Sequence, residues 1–338
     1  MTMKKRSLYF FIFIFLLSCE TSETKNNSTL FRAKDSLLNE RFASMKIPDS
    51  LDLSDLKLTI MPGIPKTVSH LRSLNFSSNQ LKVFHDSSLG LSELKNLDLS
   101  FNQIENIEFK NRDNPIEILN LYSNKIDVFP LSILDLTKIK DLDLGENYID
   151  SLPSDMSALF LLKSLSINDY NYPDSHKQAD PVREINKIKT INNLESLAVR
   201  WRFNTVIPEN IGDLTNIRVL LLMGGSYKEL PPSLFDLENL EELYLSKNQL
   251  TTIPPGISKL THLKTLNLEK NLLTGIPKQI LLLKELRELN LDDNPIKSLP
   301  ESINSLKLER LSLVHTSIPE TEREKIKKLL PETEVIFE

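Results

Sequence analysis

The chain has 338 residues, with 41 lysines and arginines against 46 aspartates and glutamates, a formal charge of −5. That acidic balance excludes the basic groove of a nucleic-acid binder, and one cysteine, Cys19, excludes an internal disulfide. No H-E-x-x-H, G-x-x-x-x-G-K or G-x-S-x-G pattern occurs, so nothing in the chain points to an enzyme, a metal or a cofactor.

At the start, Lys4, Lys5 and Arg6 precede the apolar run LYFFIFIFLL, which ends at Ser18 and Cys19. Residues 1–18 read as a signal peptide. The run falls short of the ~20 residues that span a bilayer, so a permanent transmembrane anchor is not expected. Leu16, Leu17, Ser18 and Cys19 resemble the lipobox of bacterial lipoproteins, although Leu17 stands where a smaller residue is commoner. That resemblance implies cleavage before Cys19, a lipid on its sulfur and a place in a bacterial cell envelope, at the outer membrane or cell surface in a Gram-negative organism. The bland alternative is an incidental thiol in a discarded leader. Residues 19–29 are polar and aperiodic, a tether; within 30–47, LFRAKDSLLNERFASM has helical spacing and predicts an N-terminal cap.

From Pro48 to residue 318 a unit of about 23 residues repeats some twelve times, starting at Pro48, Leu71, Leu94, Ile116, Ile139, Leu162, Leu194, Ile217, Leu240, Leu263, Leu286 and Leu308. Such a period means a solenoid. Apolar residues fill the first, fourth, sixth, eleventh and fourteenth places. The fourth-to-sixth alternation gives a short strand, and the later places carry the chain back across the other side. Asn79, Asn102, Asn124, Asn147, Asn248, Asn271 and Asn294 occupy the ninth place. An amide there can satisfy both N–H and C=O groups of the turn, so these residues read as a structural ladder. Proline at the fifteenth place (Pro62, Pro153, Pro208, Pro231, Pro254, Pro277, Pro300) suits an extended return outside any ladder.

These features resemble the leucine-rich repeat family, in its 23-residue L-x-x-L-x-L-x-x-N-x-L-x-x-[LI]-P form. The resemblance implies an α/β horseshoe with a parallel sheet on the concave face and an irregular, extended or 3-10 convex side. It also implies a protein or peptide ligand on the concave face. Twelve strands at about 4.8 Å spacing make a sheet of about 50 Å, long enough for such a partner.

The repeat breaks its own rules in copies six to eight. Copy six carries nine extra residues in an insertion at 169–181, and the ninth places become Tyr170, Arg202 and Gly225. The fifth place, read as exposed, is polar in Asn75, Asp98, Asn120, Asp143 and Ser166, turns apolar in Ala198, Leu221 and Tyr244, and reverts to Asn267 and Asn290. Arg200, Trp201 and Met223 lie beside that stripe. Tyr170, Arg200, Trp201, Leu221, Met223 and Tyr244 are therefore the candidate partner-binding residues, with an exposed Trp201 as anchor; the bland alternative is packing around a damaged turn. Residues 319–338 read as a C-terminal cap, a helix from Pro319 followed by a last strand near Glu334.

Two function classes follow. The first is a non-catalytic, monomeric, lipid-anchored envelope protein that captures a protein or peptide. The second is a structural or adhesion component whose aromatic residues stack on glycan.

Overall fold

The computed structural model describes residues 49–62, 64, 70–86, 92–110, 114–167, 180–201 and 205–338. Cys19, the tether, the 30–47 cap, Tyr170, Arg202 and most of the 169–181 insertion lie outside the described residues. Among the described residues no helix is long and apolar enough to cross a membrane.

Two compact units divide the chain after Asn147. In the first, β1 (Ser50–Asp52), β2 (Ser73–Asn75), β4 (Asn96–Asp98), β6 (Ile118–Asn120) and β7 (Asp141–Asp143) form a parallel sheet in that order, while β3 (Val83–His85) and β5 (Asn106–Glu108) pair on the return side. In the second, β8 (Ser164–Ile167), β9 (Ser196–Val199), β10 (Val219–Leu221), β11 (Glu242–Tyr244), β12 (Thr265–Asn267), β13 (Glu288–Asn290), β14 (Arg310–Ser312) and β15 (Glu334–Ile336) follow one another in parallel.

The register within each unit is set by the fourth-place leucine. Leu74 pairs with Leu97 and Leu97 with Leu119; in the second unit Leu220, Leu243, Leu266 and Leu289 form the same row. All are essentially fully buried. Each such leucine contributes roughly 1.5–3 kcal/mol through burial, and a slip by one residue would turn the whole row toward solvent.

The return side depends on the fifteenth place. Pro208, Pro231, Pro254 and Pro277 are extended and each starts a five-residue 3-10 turn, closed by a bond from the N–H of the third residue on to the proline carbonyl, as from Ile257 to Pro254 at 3.1 Å. Copies two and three have His85 and Glu108 there instead. Without proline the return can pair, and it does so as β3 and β5.

Copy six returns through a helix, α1 (Pro181–Ile188), which the repeat pattern does not announce. Asp180 caps it by accepting the Val182 N–H at 3.0 Å, and Pro181 opens it. Ile185 and Ile188 enter the core with the buried Glu184, which accepts the Leu152 N–H at 2.9 Å and pairs with Lys187 at 2.7 Å. At the end of the chain α2 (Glu320–Leu329) begins after Pro319 and buries Ile326. β15 follows, and Phe337 packs beneath Arg323 and Lys327, 5.3 and 5.7 Å from its ring centre.

Candidate functional site

The sheet face of each unit is built on two rows of side-chain hydrogen bonds. The inner row is the ninth-place asparagine. Asn248 donates to Leu222 O (2.8 Å) and Leu245 O (2.9 Å) and accepts from the N–H groups of Gly225 (3.0 Å) and Tyr227 (3.2 Å). Asn271 and Asn294 repeat the pattern, donating to Leu245 and Leu268 and to Leu268 and Leu291. In the first unit Asn79, Asn102, Asn124 and Asn147 do the same, each bridging the sixth-place carbonyl of its own copy and of the copy before.

The outer row is at the fifth place, and it corrects the reading of that place as merely exposed. Asp52, Asn75, Asp98, Asn120 and Asp143 each accept the backbone N–H two residues on, at 3.1, 2.8, 2.9, 3.0 and 2.8 Å. Asn267 and Asn290 do so in the second unit, for Glu269 (3.0 Å) and Asp292 (2.9 Å). The short Asp or Asn side chain makes an Asx turn that leads the chain off the strand. The next residue, at the eighth place, is left-handed in nearly every described copy, with φ from 52° to 69°. Such backbone is uncommon outside glycine. The residue types there, among them Phe101, Glu146 and Lys247, show no common signal from which to foresee it.

Trp201 is the exception, and the expectation of an exposed Trp201 fails. It occupies the eighth place without a positive φ, and it is only 7% exposed. Its backbone N–H donates at 3.2 Å to the hydroxyl of Tyr227, a ring with no solvent exposure. The reason lies at Gly225, which stands where the ladder asparagine belongs. A Cβ on Gly225 would lie 2.1 Å from the Tyr227 ring, so only glycine leaves room for it. Tyr227 thus brings an acceptor to the preceding copy at its eighth-place N–H, whereas a ladder asparagine such as Asn248 accepts from the ninth and eleventh places. Burial pushes its phenol up to about 12, against the opposing effect of the Trp201 N–H and Arg200.

Tyr170 lies outside the described residues, and the other candidates lie on neighbouring copies. Leu221, Met223 and Tyr244 are half-buried neighbours on β10, its following turn and β11, with Leu221 and Tyr244 paired in register. Ala198 lies beside Leu221 on β9 but is itself buried. Arg200 is half-buried and donates its Nε–H to Gly224 O at 2.7 Å. Tyr244 donates its hydroxyl to Glu242 at 2.8 Å, and burial followed by that bond holds its phenol up at about 12.

A further aromatic pair in the first unit escaped the sequence reading. Phe101 is 54% exposed at a left-handed eighth place and meets Tyr122 edge-on, with ring centres 5.3 Å apart. A scan of the seventh and eighth places for aromatics finds it. Along the second place charges alternate instead, as Lys163, Glu195, Arg218, Glu241 and Lys264, flanked by Asn216 and Asn239, which donate to carbonyls of the copy before. The opposite charges pair along the row, so it selects no ligand charge.

A family model described as leucine rich repeat matches residues 49–104, 215–273 and 261–318. Among solved structures, a leucine-rich repeat protein of Leptospira interrogans is 24% identical, covering 89% of this chain and 98% of its own, with a TM-score of 0.49. An internalin of Listeria monocytogenes is 21% identical over 88% of this chain and 82% of its own, TM-score 0.60. The plant peptide hormone receptor RGFR1, solved in complex with RGF2, is 25% identical over 85% of this chain and 47% of its own, TM-score 0.53. No protein of curated function matches the chain.

Proposed function

The chain belongs to the leucine-rich repeat family, and from that premise we propose that it is a non-catalytic recognition protein, held in a bacterial envelope by a lipid on Cys19, that captures a protein or peptide on the sheet face of copies seven to nine. One observation carries the binding site: half-buried Leu221 and Tyr244 pair in register at the fifth place, where copies one to five, ten and eleven present Asp or Asn, with Met223 in the turn after Leu221. Aromatic and methionine side chains of this kind are enriched in interface centres. The plant receptor solved with RGF2 supplies a precedent for peptide capture on such a repeat. The envelope placement rests on the leader and the Leu16–Cys19 motif.

Trp201 leaves this site, so its replacement reports on stability rather than on contact. The test is a photo-crosslinking residue at Met223, compared with one at Asn290. A partner crosslinked from Met223 and lost in the doubly substituted M223A, Y244A protein supports the reading. Equal crosslinking from both positions overturns the location. A glycan reading draws on Phe101 and Tyr122 in the first unit; glycan-array binding that F101A abolishes would favour it.

A further inference from the structure

The apolar patch on copies eight and nine has a charged border. The third place, two residues before Leu221 and Tyr244 and therefore on the same face of the sheet, reads Ser196, Val219, Glu242, Thr265, Glu288 and Arg310. Val219 pairs with Glu242, Glu242 with Thr265 and Thr265 with Glu288, so the two glutamates stand in register on either side of Thr265. Two strand spacings, about 10 Å, separate their backbones. Glu288 is exposed and Glu242 half-buried. Both act on Tyr244: its hydroxyl donates to Glu242 at 2.8 Å, and after burial and that bond the charges of Glu242 and Glu288 each oppose ionisation of the phenol.

The cations of this region are engaged elsewhere. Arg218 and Lys264, at the second place, both bond to Glu241, each at 2.7 Å. Arg310 stands beside Glu288 in register, but its Nε lies 3.8 Å from Glu334. Arg200 is at the seventh place, at the other end of the apolar patch, with its Nε–H on Gly224 O. Among the described residues no lysine, arginine or histidine pairs with Glu242 or Glu288, and the Glu242 carboxylate accepts from the neutral Tyr244 hydroxyl. Two carboxylates without a counter-charge at the rim of an apolar surface favour a cation on the partner. The Tyr244 ring adds a face for it. A planar guanidinium can stack there and still donate to both carboxylates, whereas an ammonium is a single point charge.

We infer that the partner of this face is a peptide segment that places a basic side chain, arginine before lysine, over Tyr244 between Glu242 and Glu288, with flanking apolar side chains on Leu221 and Met223. The inference rests on the proposed binding face and adds the charge of its ligand.

The probe is an acetylated, amidated heptapeptide with a central arginine between two leucines. Its control carries citrulline, which keeps the shape and loses the charge. In calorimetric titration the arginine peptide should bind about tenfold more tightly than the citrulline peptide, the lysine peptide should fall between them, and the preference should shrink as salt is raised. Glu242→Gln and Glu288→Gln should each weaken the arginine peptide by about threefold. Citrulline affinity, unchanged in both variants, reports an intact face. Equal affinity for arginine and citrulline, no binding by either peptide, tighter binding of an aspartate counterpart, or a preference that survives in the E242Q, E288Q protein overturns the inference. A partner crosslinked from Met223 as fully in the E242Q, E288Q protein as in the parent keeps the binding face and discards the basic residue, whereas equal crosslinking from Met223 and Asn290 removes the face as well.

Discussion

Asn248 and Asn267 are both asparagines of the second unit, 19 positions apart, and they do different work. The Asn248 side chain is buried and serves two carbonyls and two N–H groups. Asn267 is half-buried and accepts a single N–H at 3.0 Å. Asn248→Ala should cost on the order of 1–3 kcal/mol because it strands buried backbone groups, and Asn267→Ala about 1 kcal/mol or less; urea denaturation of the two variants measures the difference. At the broken rung, Tyr227→Phe keeps the ring beside Gly225 but removes the acceptor for the Trp201 N–H. A loss of about 1–3 kcal/mol is expected from that single oxygen, read as a lower denaturation midpoint with an unchanged slope.

Between elements, the second-place charges tie neighbouring strands together. Glu117 accepts from Lys140 and Lys95, both at 2.6 Å, and these bonds hold its carboxyl down at about 2 against an ordinary 4.5. A carboxylate depressed in the folded state contributes stability above its unfolded value and loses it as pH falls through the folded one. Glu117→Gln should therefore flatten the stability profile between about pH 4.5 and 2 and leave its slope at neutral pH unchanged. The carboxyl is exposed, so the effect should shrink in high salt; thermal melts across that range in low and high salt check it. The end of the solenoid has a different need. Ile326, Leu330 and Phe337 bury themselves against the last copies, and β15 continues the sheet past β14. Deleting 319–338 uncovers that core, and the truncated protein should bind a hydrophobic dye and aggregate on heating, as an uncapped repeat array does.

At the scale of the whole molecule, a lone cysteine near the start precedes the repeat body. Cys19 is the only thiol in the chain. Cys19→Ala should leave the protein unprocessed or free of membranes; detergent partitioning and mass analysis of the mature N-terminus measure this. A variant that partitions as fully as the parent, with the same N-terminus, removes the lipid anchor from the proposal.

Period and register were legible in the sequence because they are one-dimensional: each copy contacts the next through equivalent places, so a row of leucines 23 positions apart in sequence becomes the row Leu220, Leu243, Leu266 in space. The ninth-place amides were legible for the same reason, as one residue type at one place. Where two places act together, the tertiary structure decided. Gly225, in place of an asparagine, leaves room for Tyr227, which draws Trp201 inward and takes it out of the binding patch. The fifth-place Asx turns depend on a backbone N–H, which no residue letter records, and so their absence at Leu221 and Tyr244 appears only once the chain is folded. The helix α1 lay hidden behind the repeat pattern, although Asp180 and Pro181 carry an ordinary cap, because a local signal is overlooked when a longer period explains its surroundings. Sequence periodicity specifies which side chains face inward; which backbone groups those side chains satisfy depends on the turns they complete.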